Sequence, residues 1–412
     1  HKEKTFFRVW GAYPAWSPDG KKIVTALHKD LTYKLPDEKK SYFVEIDVAD
    51  GSEKILNAPH WNVALTALWL ADGSGLIVQV QDKPDSYFQL WHLAYPSGEA
   101  RPLTNDPNNY TEFRLAPDSS FIIASEEKTP HNLQLISAKD PTQVQHLTNS
   151  TTTQRGFMGL EWTPDGKELI YLQLEGLVAG NIWKMNVETF EAAQLTFDKG
   201  AWNRHPDVTP DGGSIVFASN RTGKWHIWQM DMDGGNLRQI TDGIGENYPQ
   251  VSPDGNWLVY VTPGEKPNSL WKMPLAGGEP VKILQNAGGL FHISPDSRQI
   301  VASYYDPDEK NKNPWKYVLA PFDGEEKPQD TGFWSQAQVV RWKPDGSGIY
   351  FLSTGQSHTN IWFYSVIDKS KRPVTNFDSQ EIINLSVSPE GNTFAVARGT
   401  KASNLLKISG FN

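Results

Sequence analysis

The chain has 412 residues, 39 Lys and Arg against 48 Asp and Glu, a formal net charge of −9 at pH 7 and no cysteine. That length holds one large core or two to four ordinary domains, and the acid excess argues against nucleic acid or an anionic membrane as main partner while permitting a basic peptide or a cation. Disulfides and thiolate metal sites are excluded, and no apolar run reaches the roughly 18 residues of a membrane-spanning helix.

Thirty-three Gly and 28 Pro, with 16 Trp, 14 Tyr and 18 Phe, point to many turns joining β-strands. The chain opens on His1 with "HKEKT", has no signal-like segment, and reads as a processed protein or an excised domain. Next comes "WSPDG" at Trp16–Gly20, the first of nine related turns. "WLADG" follows at Trp69, "LAPDS" at Leu115, "WTPDG" at Trp162, "VTPDG" at Val208 and "VSPDG" at Val251. "ISPDS" at Ile293, "WKPDG" at Trp342 and "VSPEG" at Val387 complete the series. The gaps between their acidic residues, from Asp19 to Glu390, run from 42 to 53 residues. A period of roughly 40 to 45 residues is that of propeller blades.

The stretch from Asn203 to Asp242 shows one unit whole: "HPDV", the turn "TPDGG", "SIVFAS", "NRTGK", "WHIWQMD", the turn "MDGGN" and "LRQIT". Pro presets φ, Asp bonds its own backbone and Gly takes positive φ, so each turn joins antiparallel neighbours in a four-stranded meander. Third strands repeat as "QLWHL", "NIWKM", "HIWQM", "SLWKM" and "NIWFY", and fourth strands as "RPLT", "QHLT", "AQLT", "RQIT" and "RPVT". No segment sustains a helical period. The last unit has "TFAVAR" and "NLLKI" but no fourth strand, and "HKEKT" sits where one belongs, Thr5 lying 14 residues before Asp19 as Thr104 lies 14 before Asp118. The expectation is an all-β propeller of four-stranded antiparallel blades. It is one domain over residues 1–412 with nine repeats, residues 2–6 completing the last blade; two smaller propellers are the alternative.

These turns and "IW" strands resemble the TolB-type, WD40-like propeller repeat along essentially the whole chain. "PAWSPDGKKIVTA", "ALWLADGSGLIVQVQD", "SLWKMPLAGGEPVKI" and "FAVARGTKASNLLKIS" are similar to propeller regions that follow the kinase domain in bacterial, acidobacterial-type serine/threonine protein kinases. That resemblance implies an extracytoplasmic sensor or docking module, periplasmic or extracellular. The chain itself has no Gly-rich loop with paired Lys, no His-Arg-Asp loop, no Asp-Phe-Gly and no Gly-x-Ser-x-Gly elbow, so any kinase or peptidase activity would lie outside it.

In a meander propeller the tight turns share one face and the longer loops the other, where binding resides. The candidates are the residues entering each first strand: Tyr110 and Glu112, Arg204 and His205, Glu246 and Tyr248, Gln336 and Gln338, Gln380 and Glu381. Each also reads as the wall of a solvated channel. The turn aspartates read as caps. "DMDGGN" at Asp231–Asn236 reads as a hairpin turn, and the acidic "YYDPDEKNKN" at Tyr304–Asn313 as a solvated loop able to hold a cation. Trp183, Trp228, Trp271 and Trp362 read as blade packing, and no His-Glu-x-x-His or His-x-x-x-His pair supports a zinc site. The functional expectation is a non-enzymatic binding or scaffold module taking a protein, peptide or small ligand at the loop-bearing face, with no cofactor, metal, nucleic acid or membrane span. A substrate-gating propeller of a peptidase and a propeller lyase or hydrolase with a channel site are the alternatives.

Overall fold

A computed structural model describes residues 13–28, 41–59, 61–82, 87–106, 108–128, 130–151, 153–174, 180–198, 201–263, 267–309, 314–324, 327–334, 337–354, 358–400 and 402–411. Among them there is no helix, and every strand belongs to an antiparallel blade. The chain forms two compact units: His1–Lys128 with Gly176–Val178 and Lys401–Asn412, and Thr129–Glu175 with Ala179–Thr400.

The turn chemistry explains why the repeat recurs. In the Asn203 unit the Asp211 carboxylate accepts from the Gly213 N–H at 2.9 Å and from the Thr209 hydroxyl at 2.6 Å. That hydroxyl oxygen in turn accepts from Ser214 N–H at 2.9 Å, the first residue of the next strand. Ser17/Asp19, Thr163/Asp165, Ser252/Asp254 and Ser294/Asp296 repeat the arrangement. Asp211→Ala is therefore expected to lower stability by about 1 kcal/mol, the value of a lost backbone cap, without touching ligand affinity. Thermal melts and binding titrations of the same variant check both halves. The recurring fourth-strand Thr is a latch: its hydroxyl accepts the N–H opening the third strand, from Thr104 to Leu90 at 3.0 Å and from Thr196, Thr241 and Thr375 to Ile182, Ile227 and Ile361 at 2.9 Å.

In the first unit three blades succeed one another. Ala15–Trp16, Lys22–His28, Ser41–Asp47 and Glu53–Ile55 form one; Val63–Trp69, Gly75–Gln81, Gln89–Ala94 and Ala100–Pro102 form the next. The third joins Asn109–Leu115 and Phe121–Lys128 to Ala402–Ser409 from the chain's other end.

The second unit is a closed ring of six. Its first strands are Gln154–Trp162, Asn203–Val208, Asn247–Val251, the end of Val281–Ile293, Ala337–Trp342 and Glu381–Val387. Each packs on the next, and Glu381–Val387 packs back on Gln154–Trp162. Second strands are apolar at their centres, Ile215, Val216, Phe217 and Ala218 all being 0% exposed, because neighbouring blades cover both faces. The closing blade is composite: Glu381–Val387 and Thr393–Gly399 pair with His131–Ser137 and Val144–His146. Its Ile136, Phe394 and Val396 pack toward the Ala337 blade, and Leu133, Ala395 and Ala397 toward the Gln154 blade.

The nine turns divide as three and six between the units, and in the second unit the first strands close a ring of six. One expectation is corrected here. The last repeat does not keep its own third strand: "NLLKI" lies against Phe121–Lys128, and "TFAVAR" against His131–Ser137. The third and ninth repeats have exchanged outer halves, which gives the six-membered ring a complete last blade instead of a bare edge. The expected closing strand at residues 2–6 lies outside the described residues.

Candidate functional site

Each first strand of the ring carries a bulge. Pairing slips between Arg204 and Asp207 and between Asn247 and Gln250, and at the extra residue His205 and Tyr248 take φ of 53° and 51°. A bulge re-aims the side chain it carries; here a proline follows each, Pro206 and Pro249, where no ladder N–H is needed. The His205 and Tyr248 rings stack with centroids 4.1 Å apart and line a cavity of about 140 Å³ with Phe157 and Phe291. Tyr248 has room only because residue 289 is glycine: a Cβ there would lie 2.6 Å from its ring Cζ.

One turn deeper lies a ring of polar residues, each four positions before a turn acid: Glu161, Asp207, Gln250, His292, Arg341 and Ser386. They tie blade to blade. Asp207 accepts from Val251 N–H at 2.6 Å, Gln250 from Ile293 N–H at 2.8 Å, and His292 Nδ1 from Trp342 N–H at 3.3 Å. Arg341 Nη2 donates to Glu161 Oε1 at 2.6 Å, and the Ser386 hydroxyl to Glu161 Oε2 at 3.0 Å.

Burial and Arg341 press His292 down to about 3, so its ring is neutral, as its acceptor role requires. Burial with Arg204 and Arg341 nearby keeps His205 neutral too. Burial, then repulsion from Glu161, pushes Asp207 up to about 8. Burial raises Glu161 as well, but Arg341 and Ser386 oppose it. Of the two acids Glu161 has the cationic partner, so Asp207 keeps the proton at neutral pH.

The residues singled out from the sequence scatter. His205 and Tyr248 meet at the cavity. Arg204 lies beside them, its guanidinium 3.7 Å over the Trp225 ring and its Nε donating to Asn247 at 3.3 Å. Glu246 is buried against the preceding blade, bonded to His226 Nδ1 and the Thr241 hydroxyl at 2.9 Å each. Glu381 is exposed at the start of its strand, Gln380 is exposed with φ of 67°, and Gln338 lies in Ala337–Trp342. Tyr110 and Glu112 belong to the first unit, Tyr110 buried and donating to Asp106 at 2.8 Å, Glu112 exposed. Gln336 lies outside the described residues. The polar ring was missed although a signal existed: a variable polar residue at a constant offset from a constant turn.

Among the described residues no three His, Asp or Glu side chains gather as a metal site, and no helix is long and apolar enough to cross a membrane. Asp306 of the acidic insertion pairs with Lys316 at 2.6 Å; residues 310–313 of that insertion are not described.

Residues 155–310, within this ring, match the family model PD40, the TolB beta propeller domain. The uncharacterized protein Atu1656 of Agrobacterium fabrum is 38% identical over 81 residues, 20% of this chain; the match spans about a quarter (27%) of that relative's length. Among solved structures, TolB from Acinetobacter baumannii overlaps 94% of this chain and 82% of its own at 13% identity and TM-score 0.44. A putative TolB from Agrobacterium tumefaciens overlaps 95% and 90% at 16% identity and TM-score 0.28. An oligogalacturonate lyase from Vibrio parahaemolyticus overlaps 86% and 89% at 13% identity and TM-score 0.36.

Proposed function

We propose that this chain is a binding module whose six-bladed unit receives a peptide or protein segment at the loop-bearing mouth of its channel. It acts as the extracytoplasmic sensor or docking part of a bacterial membrane protein. The observation that carries this reading is the polar ring at the channel base, held by hydrogen bonds from blade to blade. Side chains locked this way are ordered before a partner arrives, so binding loses little conformational freedom. The aromatic rings above the base supply apolar contact area for an incoming segment.

A photoreactive residue tests the location. Phe157 lines the cavity and is 41% exposed, while Ile367, 82% exposed, sits between Thr359–Ser365 and Lys371–Pro373 on the tight-turn face. Cross-linking of the partner from position 157 and not from 367 is the expected outcome. The reverse pattern removes the docking reading.

One feature favours a channel enzyme instead: two adjacent buried carboxyls, both raised by burial and only Glu161 paired with a cation, are an arrangement that acid–base catalysis uses. Turnover of a soluble substrate, lost in Asp207→Asn, would establish that second reading.

A further inference from the structure

We propose that the base of the six-bladed channel is a recognition site for a primary ammonium group, held by Asp207, with Glu161 beside it, beneath the stacked rings of His205 and Tyr248. This rests on the docking reading and names the chemistry of what enters.

The geometry supplies three supports. The first is the charge balance around one small cavity. Asp207 stands on the second first strand; lining the same cavity are Glu161 on the strand before, Gln250 and Tyr248 on the strand after, and Arg341 two strands further on, with neutral His292 beside Arg341 on the strand between. Its own strand adds Arg204, drawn off over the Trp225 ring, and His205. Arg341 is committed to Glu161 at 2.6 Å and offsets only part of the rise at Asp207, which among the described residues forms no ion pair of its own. The second support is His205 Nε2, buried and without a hydrogen-bond partner among the described residues. On a neutral ring protonated at Nδ1, that nitrogen is an acceptor awaiting a donor. The third is the space itself. Gly289 leaves the cavity open beside Tyr248, and the electron-rich faces of Tyr248 and Phe157 favour a cation over an anion.

An ammonium group has three N–H donors and one positive charge, matching a carboxylate, an imidazole nitrogen and an aromatic wall. Its arrival ionises Asp207, so binding expels one proton into solution. The sign follows: below the free-site pKa of Asp207, about 8, affinity falls as pH falls. A lysine side chain, ordinarily near 10.4, holds its charge well above that value, whereas a peptide amino terminus, near 8, begins to lose it. Lysine binding therefore keeps strengthening to about pH 9, and amino-terminal binding levels off near pH 8.

Three pentapeptides test this on the full chain: one with a single lysine and blocked ends, one with a free amino terminus and no lysine, and one with neither. Titration is followed by the change in tryptophan fluorescence and by proton release in weak buffer. The expected result is binding of the ammonium peptides only, about tenfold or more tighter at pH 8 than at pH 6, with one proton released per peptide at pH 7. Asp207→Asn keeps an acceptor for Val251 N–H but not the charge, and is expected to abolish both the pH dependence and the proton release. Glu161→Gln removes the repulsion on Asp207 and is expected to move the pH profile downward. Equal affinity for all three peptides, or an unchanged pH profile in Asp207→Asn, overturns the ammonium site. If the partner still cross-links through position 157 in that case, the docking reading stands and only this inference falls.

Discussion

A double variant, Ser137→Cys with Thr393→Cys, is expected to form a disulfide under mild oxidation and to raise the stability of the second unit sharply. Thr393 stands opposite Ser137 in the closing blade. The chain has no other cysteine, so the product is unambiguous. The bond would close a loop of 257 residues, from 137 to 393, and a loop that long removes chain entropy from the unfolded state corresponding to about 5 kcal/mol at best. The control is Thr393→Cys with Ser409→Cys. If each repeat made its own blade, Ser409 would be the residue opposite Thr393; in the structure it stands opposite Phe121. Non-reducing gel mobility and a melt with and without reductant decide between the two pairings. A bridge in the control and none in the first variant would return the last repeat to its own blade.

The second large effect is expected from Arg341→Met. Methionine fills the space of the arginine stem but leaves Glu161, with 18% of its side chain exposed, as a buried carboxylate without its cation. Breaking such a pair costs about 3–5 kcal/mol. The loss depends on pH in a definite direction. Burial already raises the Glu161 carboxyl, and loss of the opposing Arg341 raises it further above its unfolded value, so the folded variant holds the proton to higher pH than wild type. The variant therefore resembles the wild type below the unfolded pKa of a glutamate, about 4.3, and weakens as pH rises through the window up to the raised folded value. Denaturant melts at pH 4.5 and pH 8 measure the difference. A variant equally stable at both, or within about 1 kcal/mol of wild type at pH 8, would show that the Arg341–Glu161 bond is a surface-like pair of little weight.

How much was legible follows from the range of each interaction. The turns were, because Thr209, Asp211 and Gly213 lie within five residues and their hydrogen bonds are local. The fourth-strand threonines were legible as a pattern, though not as the latch on Ile182 or Ile227. The tryptophans at 183, 228 and 271 were rightly read as blade packing, since each lies against its blade's apolar cluster. His205 and Tyr248 come together because a bulge in each first strand re-aims them at the strand entrance. The surroundings of Glu246 were not legible, because its partner His226 lies 20 residues back, on the third strand of the preceding blade.

By itself the amino-acid sequence determined the all-β class, the four-stranded blade and the count of nine turns, all of which rest on contacts between residues close in the chain. Only the tertiary structure decided which strands close the ring. "NLQLIS" ending at Ser137 and "NLLKIS" ending at Ser409 share the pattern Asn-Leu-x-x-Ile-Ser, and both offer the same ladder to a second strand. Local propensity cannot separate two identical offers; the packing of six wedge-like blades around one axis does, because it sets which edge stands beside Thr393–Gly399. The polar base of the channel arose the same way. Glu161, Arg341 and Ser386 are up to 225 residues apart, and nothing short of ring closure brings two acids and one arginine to a common cavity.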